Sequence, residues 1–152
     1  MLQLKTKEVL LDYCQAFVNK RLQTVADVIS SNQKALESET KSSAGDKHET
    51  GRAMLQLEME KAGQQLEGIR QMKTILAKVN ILKVAEKAHL GSIIVTDKRN
   101  YFLSISAGQF VVENRIYFAV SAASPIGKLL LGASEKKVFS FNGIPYTVQE
   151  IM

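Results

Sequence analysis

Val18, Leu22, Val25, Ile29, Asn32 and Leu36 follow one another at steps of four, three, four, three and four residues. That spacing lays a single apolar stripe along a long helix, with Asn32 as its polar interruption. A second stripe, Leu55, Met59, Ala62, Leu66 and Ile69, steps by four and three in the same way, then drifts through Met72, Ile75, Val79 and Leu82. Between the stripes, SETKSSAGDKHETG (38–51) holds almost nothing apolar. Folding the chain back near residues 45 and 46 brings Leu36 opposite Leu55, Ile29 opposite Ala62, and Leu22 opposite Ile69. The pattern therefore predicts an antiparallel coiled-coil helical hairpin over 1–87, with its tip at 42–51. Each arm, roughly 35 residues long, would reach about 50 Å at ~1.5 Å per residue.

From Gly91 the period changes to that of strands. GSIIVTD, YFLSISA, FVVEN and RIYFAVS are short runs of β-branched and aromatic residues divided by polar or glycine turns. ASPIGKLLLGA (123–133), with Pro125 early and Gly132 late, predicts a short helix packed on the sheet. KKVFSF and YTVQEI then flank Asn142-Gly143, a pair suited to a tight hairpin. Residues 88–152 are thus expected to form an antiparallel or mixed sheet of five or six strands, which makes the chain α+β. Its expected core includes Ile94, Val95, Leu103, Ile105, Val112, Phe118, Val120, Leu130, Val138 and Val148.

Composition narrows the function without choosing it. Apolar residues make up 45% of the 152, enough for a packed core and too many for a disordered chain. The net charge of +5 is spread over both halves, with no dense basic block. It therefore permits an acidic or nucleic-acid partner but identifies none, and nothing points to a specific DNA sequence. Cys14 is the only cysteine, which excludes an intrachain disulfide and a Cys-rich zinc site. No apolar run reaches the length of a membrane span and no signal peptide is evident, so the expected location is cytoplasmic, with no membrane partner.

Asp46 and Glu49 stand three apart at the expected start of the second helix, on one face. The same spacing is a capping box, with Asp46 capping the helix and Glu49 reaching back. Two carboxylates held there can alternatively supply oxygen ligands to Mg²⁺. Lys47, His48 and Arg52 beside them are candidates for contact with RNA or protein. The recurrent aromatics of the second half, such as Tyr101, Phe118 and Tyr146, are read as core rather than as a stacking platform for nucleic acid.

Several segments carry a family resemblance. Gly91-Ser92-Ile93-Ile94-Val95, Ser124-Pro125-Ile126-Gly127-Lys128-Leu129-Leu130-Leu131-Gly132 and the closing Tyr146–Ile151 resemble the C-terminal domain of the GreA/GreB transcript-cleavage (elongation) factors. The turn Gly45-Asp46-Lys47-His48-Glu49-Thr50 is similar to the acidic hairpin tip of that family, with Asp46 and Glu49 in its two acidic positions. SSAGDKHETGRAM (42–54) resembles a divergent Gre-like subgroup found in Bacteroidetes. The resemblance implies an FKBP-like fold for 88–152, with Ser124, Pro125, Ile126, Gly127 and Lys128 as a docking segment. It implies bacterial RNA polymerase as partner, with the tip in the secondary channel near the nascent RNA 3′ end. There Asp46 and Glu49 would act in trans on Mg²⁺ shared with the polymerase, stimulating cleavage of backtracked RNA. The chain would bind no cofactor stably alone and would be an accessory factor rather than an enzyme. A non-catalytic channel regulator and a rod-shaped interaction module are the alternatives.

Overall fold

The computed structural model describes residues 2–41 and 46–152, with side chains described outside 39–49. It contains an N-terminal pair of packed helices followed by a mixed, open β-sheet domain. Helix α1 spans Leu2–Lys41 and α2 spans Asp46–Lys78. Residues 42–45, where the sequence places the fold-back, lie outside the described residues.

No Gly or Pro interrupts α1, so neither backbone entropy nor a missing donor opposes its length. The apolar stripe is the packed face. Val18, Val25, Asn32, Ala62 and Ile69 are buried, and Leu22, Ile29, Leu36, Leu55, Met59 and Leu66 are half-buried. Val25 and Ile69, one from each helix, line a common groove of about 440 Å³ with Arg21 and Met72. Leu82, expected to prolong the second stripe, is exposed beyond the end of α2, and Leu76 is the buried residue of that last turn. Among the described residues, no helix is long and apolar enough to cross a membrane.

Two compact units make up the chain. One is Val18–Met72; the other joins Met1–Phe17 to Lys73–Met152. The second unit contains a six-stranded sheet: β1 Ile93–Thr96, β2 Asn100–Ser104, β3 Gly108–Val112, β4 Arg115–Ser121, β5 Val138–Phe141 and β6 Ile144–Ile151. Their order is β3-β4-β2-β1-β6-β5. All pairings are antiparallel except β2 with β4. Two two-residue turns close the outer hairpins, Glu113-Asn114 (φ 53° and 63°) and Asn142-Gly143 (φ 52° and 77°). Positive φ at both central residues matches the right-handed twist of the strands.

Strand alternation supplies two apolar faces. One carries Ile94, Tyr101, Leu103, Tyr146 and Val148 and packs on Ile126 and Leu130 of the short helix α3, Pro125–Leu130. The other lies beneath the start of α1, where Cys14 Sγ is 3.6 Å from Ser104 Oγ and the Tyr13 and Phe110 rings are 5.3 Å apart. Ile94, Leu103, Ile105, Val112, Leu130 and Val148 are buried as expected, while Val95, Phe118 and Val120 are half-buried. Val138 departs from the expectation, at 66% exposed. β5 is an edge strand, and alternation turns Phe139 and Phe141 to the core, so Val138 faces out.

Candidate functional site

The first turn of α2 contains Asp46, Lys47, His48 and Glu49. Their backbone is helical, and their side chains lie outside the described residues. Arg52 is exposed on the next turn. Helical spacing places Asp46 and Glu49 on one side of α2. Among the described residues, no group of three or more His, Cys, Asp or Glu side chains is placed to hold a metal ion.

The predicted docking segment forms the start of α3. Ser124, in extended conformation (φ −71°, ψ 159°), caps it by accepting the Gly127 N–H at 3.1 Å. Its hydroxyl donates to the Ser121 carbonyl at 2.6 Å. Pro125 follows at the first helical position, where a missing N–H costs nothing. Ile126 and Gly127 are buried, and Lys128 is exposed in the last turn. A Cβ on Gly127 would fall 1.8 Å from the Ser121 carbonyl oxygen, so this position admits only glycine without a backbone shift. Four of the five residues thus have a local structural task, and the Lys128 side chain is exposed.

The Gly91-Ser92 pair has a similar explanation. Gly91 adopts φ 105°, and a Cβ there would lie 2.6 Å from the Asn80 carbonyl oxygen. Asn80 also turns the chain just after α2, its Oδ1 accepting the N–H groups of Leu82 and Lys83 at 3.1 Å each. Ser92, fully buried, accepts the His89 N–H at 2.9 Å and lies 2.9 Å from His89 Nδ1. The Asn80 carbonyl can only accept, so at 3.3 Å Nε2 is the donor to it, and in that tautomer Nδ1 accepts the Ser92 hydroxyl proton. A serine so enclosed has no access to a substrate, and the trio serves to fasten the segment after α2 to the start of β1.

Sequence reasoning missed a cluster of aromatic rings and cations at the starts of β2 and β6. Lys98 Nζ sits 5.3 Å from the Tyr146 ring centre and Arg99 4.8 Å from that of Phe118. Phe139 stacks on Tyr146 with ring centres 5.3 Å apart. Burial, and then the neighbouring Tyr146, push the Tyr101 hydroxyl up to about 12. Asp97 is held below the ordinary carboxylate value, chiefly by the Thr147 N–H at 2.8 Å and further by Lys98 at 3.2 Å. The only advance signal was Asp97-Lys98-Arg99 between two strand-like runs, which looks like any polar turn.

Two further titratable groups lie on the buried side of α1. Burial pushes the Cys14 thiol up, partly offset by the bond to Ser104, and lowers Lys7. Both continue the α1 stripe toward its N-terminus, Cys14 one turn and Lys7 about three turns before the stretch whose spacing marked it in the sequence. Set against known proteins, the chain matches no family model and no curated protein.

Proposed function

We propose that this chain is a Gre-like accessory factor of bacterial RNA polymerase, which docks through its β-sheet domain and offers the first turn of α2 to the secondary channel. The supporting observation is that Asp46 and Glu49 both lie in the helical backbone of α2, which puts them one turn apart on one side of that helix. Two carboxylates suit a hard cation that prefers oxygen ligands, and are too few to enclose Mg²⁺ without a second protein. Mg²⁺ held jointly with the polymerase supplies water activation and charge stabilisation for phosphodiester hydrolysis. The work of this chain is to place two anionic oxygens there, while Lys47, His48 and Arg52 offer cationic or hydrogen-bonding contacts to the RNA 3′ end. The sheet domain, with its Ser124-capped α3, is read as FKBP-like, and exposed Lys128 as its docking contact.

The test replaces both carboxylates by their amides. Asn still caps a helix well, so Asp46→Asn with Glu49→Gln leaves the fold and polymerase binding intact. Release of short 3′ RNA fragments from a backtracked complex is expected to fall at least about tenfold, the equivalent of ~1.4 kcal/mol in the barrier. Equal cleavage by wild type and double variant removes the metal-delivery role. Polymerase binding by a wild type that gives no stimulation at any Mg²⁺ concentration moves the assignment to a non-catalytic channel regulator.

A further inference from the structure

β3 is an edge of the sheet and, among the described strands, is hydrogen-bonded to β4 alone. The two-residue turn at Glu113-Asn114 makes Val112–Arg115 a hydrogen-bonded pair, and alternation makes Phe110–Tyr117 the next. The N–H and C=O groups of Gln109 and Val111 therefore point away from the sheet. Edges are ordinarily guarded by lysine, proline or a covering element. The β5 edge is short and follows Lys136-Lys137, whereas Gly108–Val112 contains neither a charge nor a proline. The β3 edge is also apolar on both faces. Val111 and Ile116, opposite each other, are 55% and 46% exposed on one face. On the other, half-buried Phe110 meets Tyr13, which is 41% exposed.

We propose that β3 is a self-association edge, pairing antiparallel with β3 of a second copy about a two-fold axis through Phe110. In this register each Gln109 exchanges its outward hydrogen bonds with the second copy's Val111. Phe110 then meets its own equivalent directly, joining the two Phe110–Tyr13 contacts into one aromatic cluster. Gly108 falls opposite Val112 and Ala107 opposite Glu113, so no like charges are brought together. A second copy fits better than a charged peptide because the edge is neutral and the register is its own complement. A contact of one short strand buries less than about 1,000 Å², the range of weak association, so dimers form in proportion to concentration.

The experiment uses the full chain. Sedimentation equilibrium from about 5 to 500 µM, the range suited to a small weak interface, is expected to show a monomer–dimer equilibrium. Val111→Pro removes an outward N–H without touching the β3–β4 ladder and is expected to shift the chain to monomer, with near-ultraviolet circular dichroism unchanged. Phe110→Cys provides a reading that does not depend on that variant folding. Directly opposed residues of a non-hydrogen-bonded pair lie about 4.5 Å apart at Cα, within reach of a disulfide. Cys14 is buried and does not compete. Phe110→Cys is expected to oxidise to a covalent dimer at least about tenfold faster than Ser106→Cys, an exposed site that the register holds far from its equivalent. A wild type that stays monomeric throughout the range, or equal oxidation at 106 and 110, overturns the proposal.

Discussion

Replacing Gly127 by alanine tests whether the start of α3 is fixed by its own backbone. Helix propensity alone favours alanine by about 1 kcal/mol, so without steric conflict the variant would be more stable. The conflict is severe. The added carbon would lie 1.8 Å from the oxygen and 2.7 Å from the carbon of the Ser121 carbonyl, and 2.9 Å from Ala122 Cα. All three are backbone atoms, so no rotamer change relieves the clash. The Ser121 carbonyl is also held by the Ser124 N–H at 3.1 Å and the Ser124 hydroxyl at 2.6 Å. Moving it away loosens the cap on the same helix. Overpacking costs about 1–3 kcal/mol, and partial loss of the cap adds up to ~1 kcal/mol. Because only backbone atoms are in the way, the overpacking lies at the upper end of that range, and against the propensity gain the net loss is about 2–3 kcal/mol. Urea unfolding followed by tyrosine fluorescence reads it directly, because Tyr13, Tyr101, Tyr117 and Tyr146 all belong to the unit containing α3. A change within about 0.5 kcal/mol of wild type, or a gain, would refute the steric argument. Lys128→Ser, at an exposed position, is the control and should stay within that margin.

Leu130 has no exposed surface, and Leu130→Ala should cost about 2–5 kcal/mol in the same urea assay; a loss below about 1 kcal/mol would mean that the site collapses around the smaller side chain. Asn32 Nδ2 is buried without a hydrogen-bond partner among the described residues, so Asn32→Leu should stabilise the helix pair by about 1–2 kcal/mol, seen as a higher melting temperature in far-ultraviolet circular dichroism; a lower one would contradict this. Tyr101 ionises at about 12 rather than 10.0, so its folded form holds the proton more tightly than the unfolded one. Its contribution is complete below pH 10 and disappears as pH rises through 12, a fall in stability that Tyr101→Phe should remove and that tyrosinate absorbance at 295 nm should accompany.

The helices and strands were legible because each has a period of its own. The stripe from Val18 to Leu36 is buried or half-buried at every step, and the Asn142-Gly143 turn forms where its residue types call for it. Burial at Lys7 was not legible, since a lysine interrupts an apolar pattern even when its stem packs against one. Nor was the insertion of β4 between β2 and β3, because local alternation contains no information about which strand becomes a neighbour. Val138 was misread for the same reason: a valine in a β-run is inward or outward according to a phase set by its partner strand. At the candidate site, the sequence identified Ser124-Pro125 and Gly127 as a distinctive segment. Only the fold gave their reasons, a cap, a preset φ and a backbone approach too close for any side chain. Asp46 and Glu49 stand one turn apart in α2, and their metal-delivery role rests on the cleavage assay.

The single thiol offers a direct measure of how often the sheet parts from α1. Cys14 is wholly enclosed, and its Sγ faces Ser104 across the contact between the first turns of α1 and β2. A soluble disulfide reagent reaches it only when that contact opens, so the labelling rate is the intrinsic rate multiplied by the open fraction. Each 1.4 kcal/mol of opening free energy slows the reaction about tenfold. Comparing that energy with global unfolding from urea would show whether α1 detaches as a separate step or only when the sheet itself is lost.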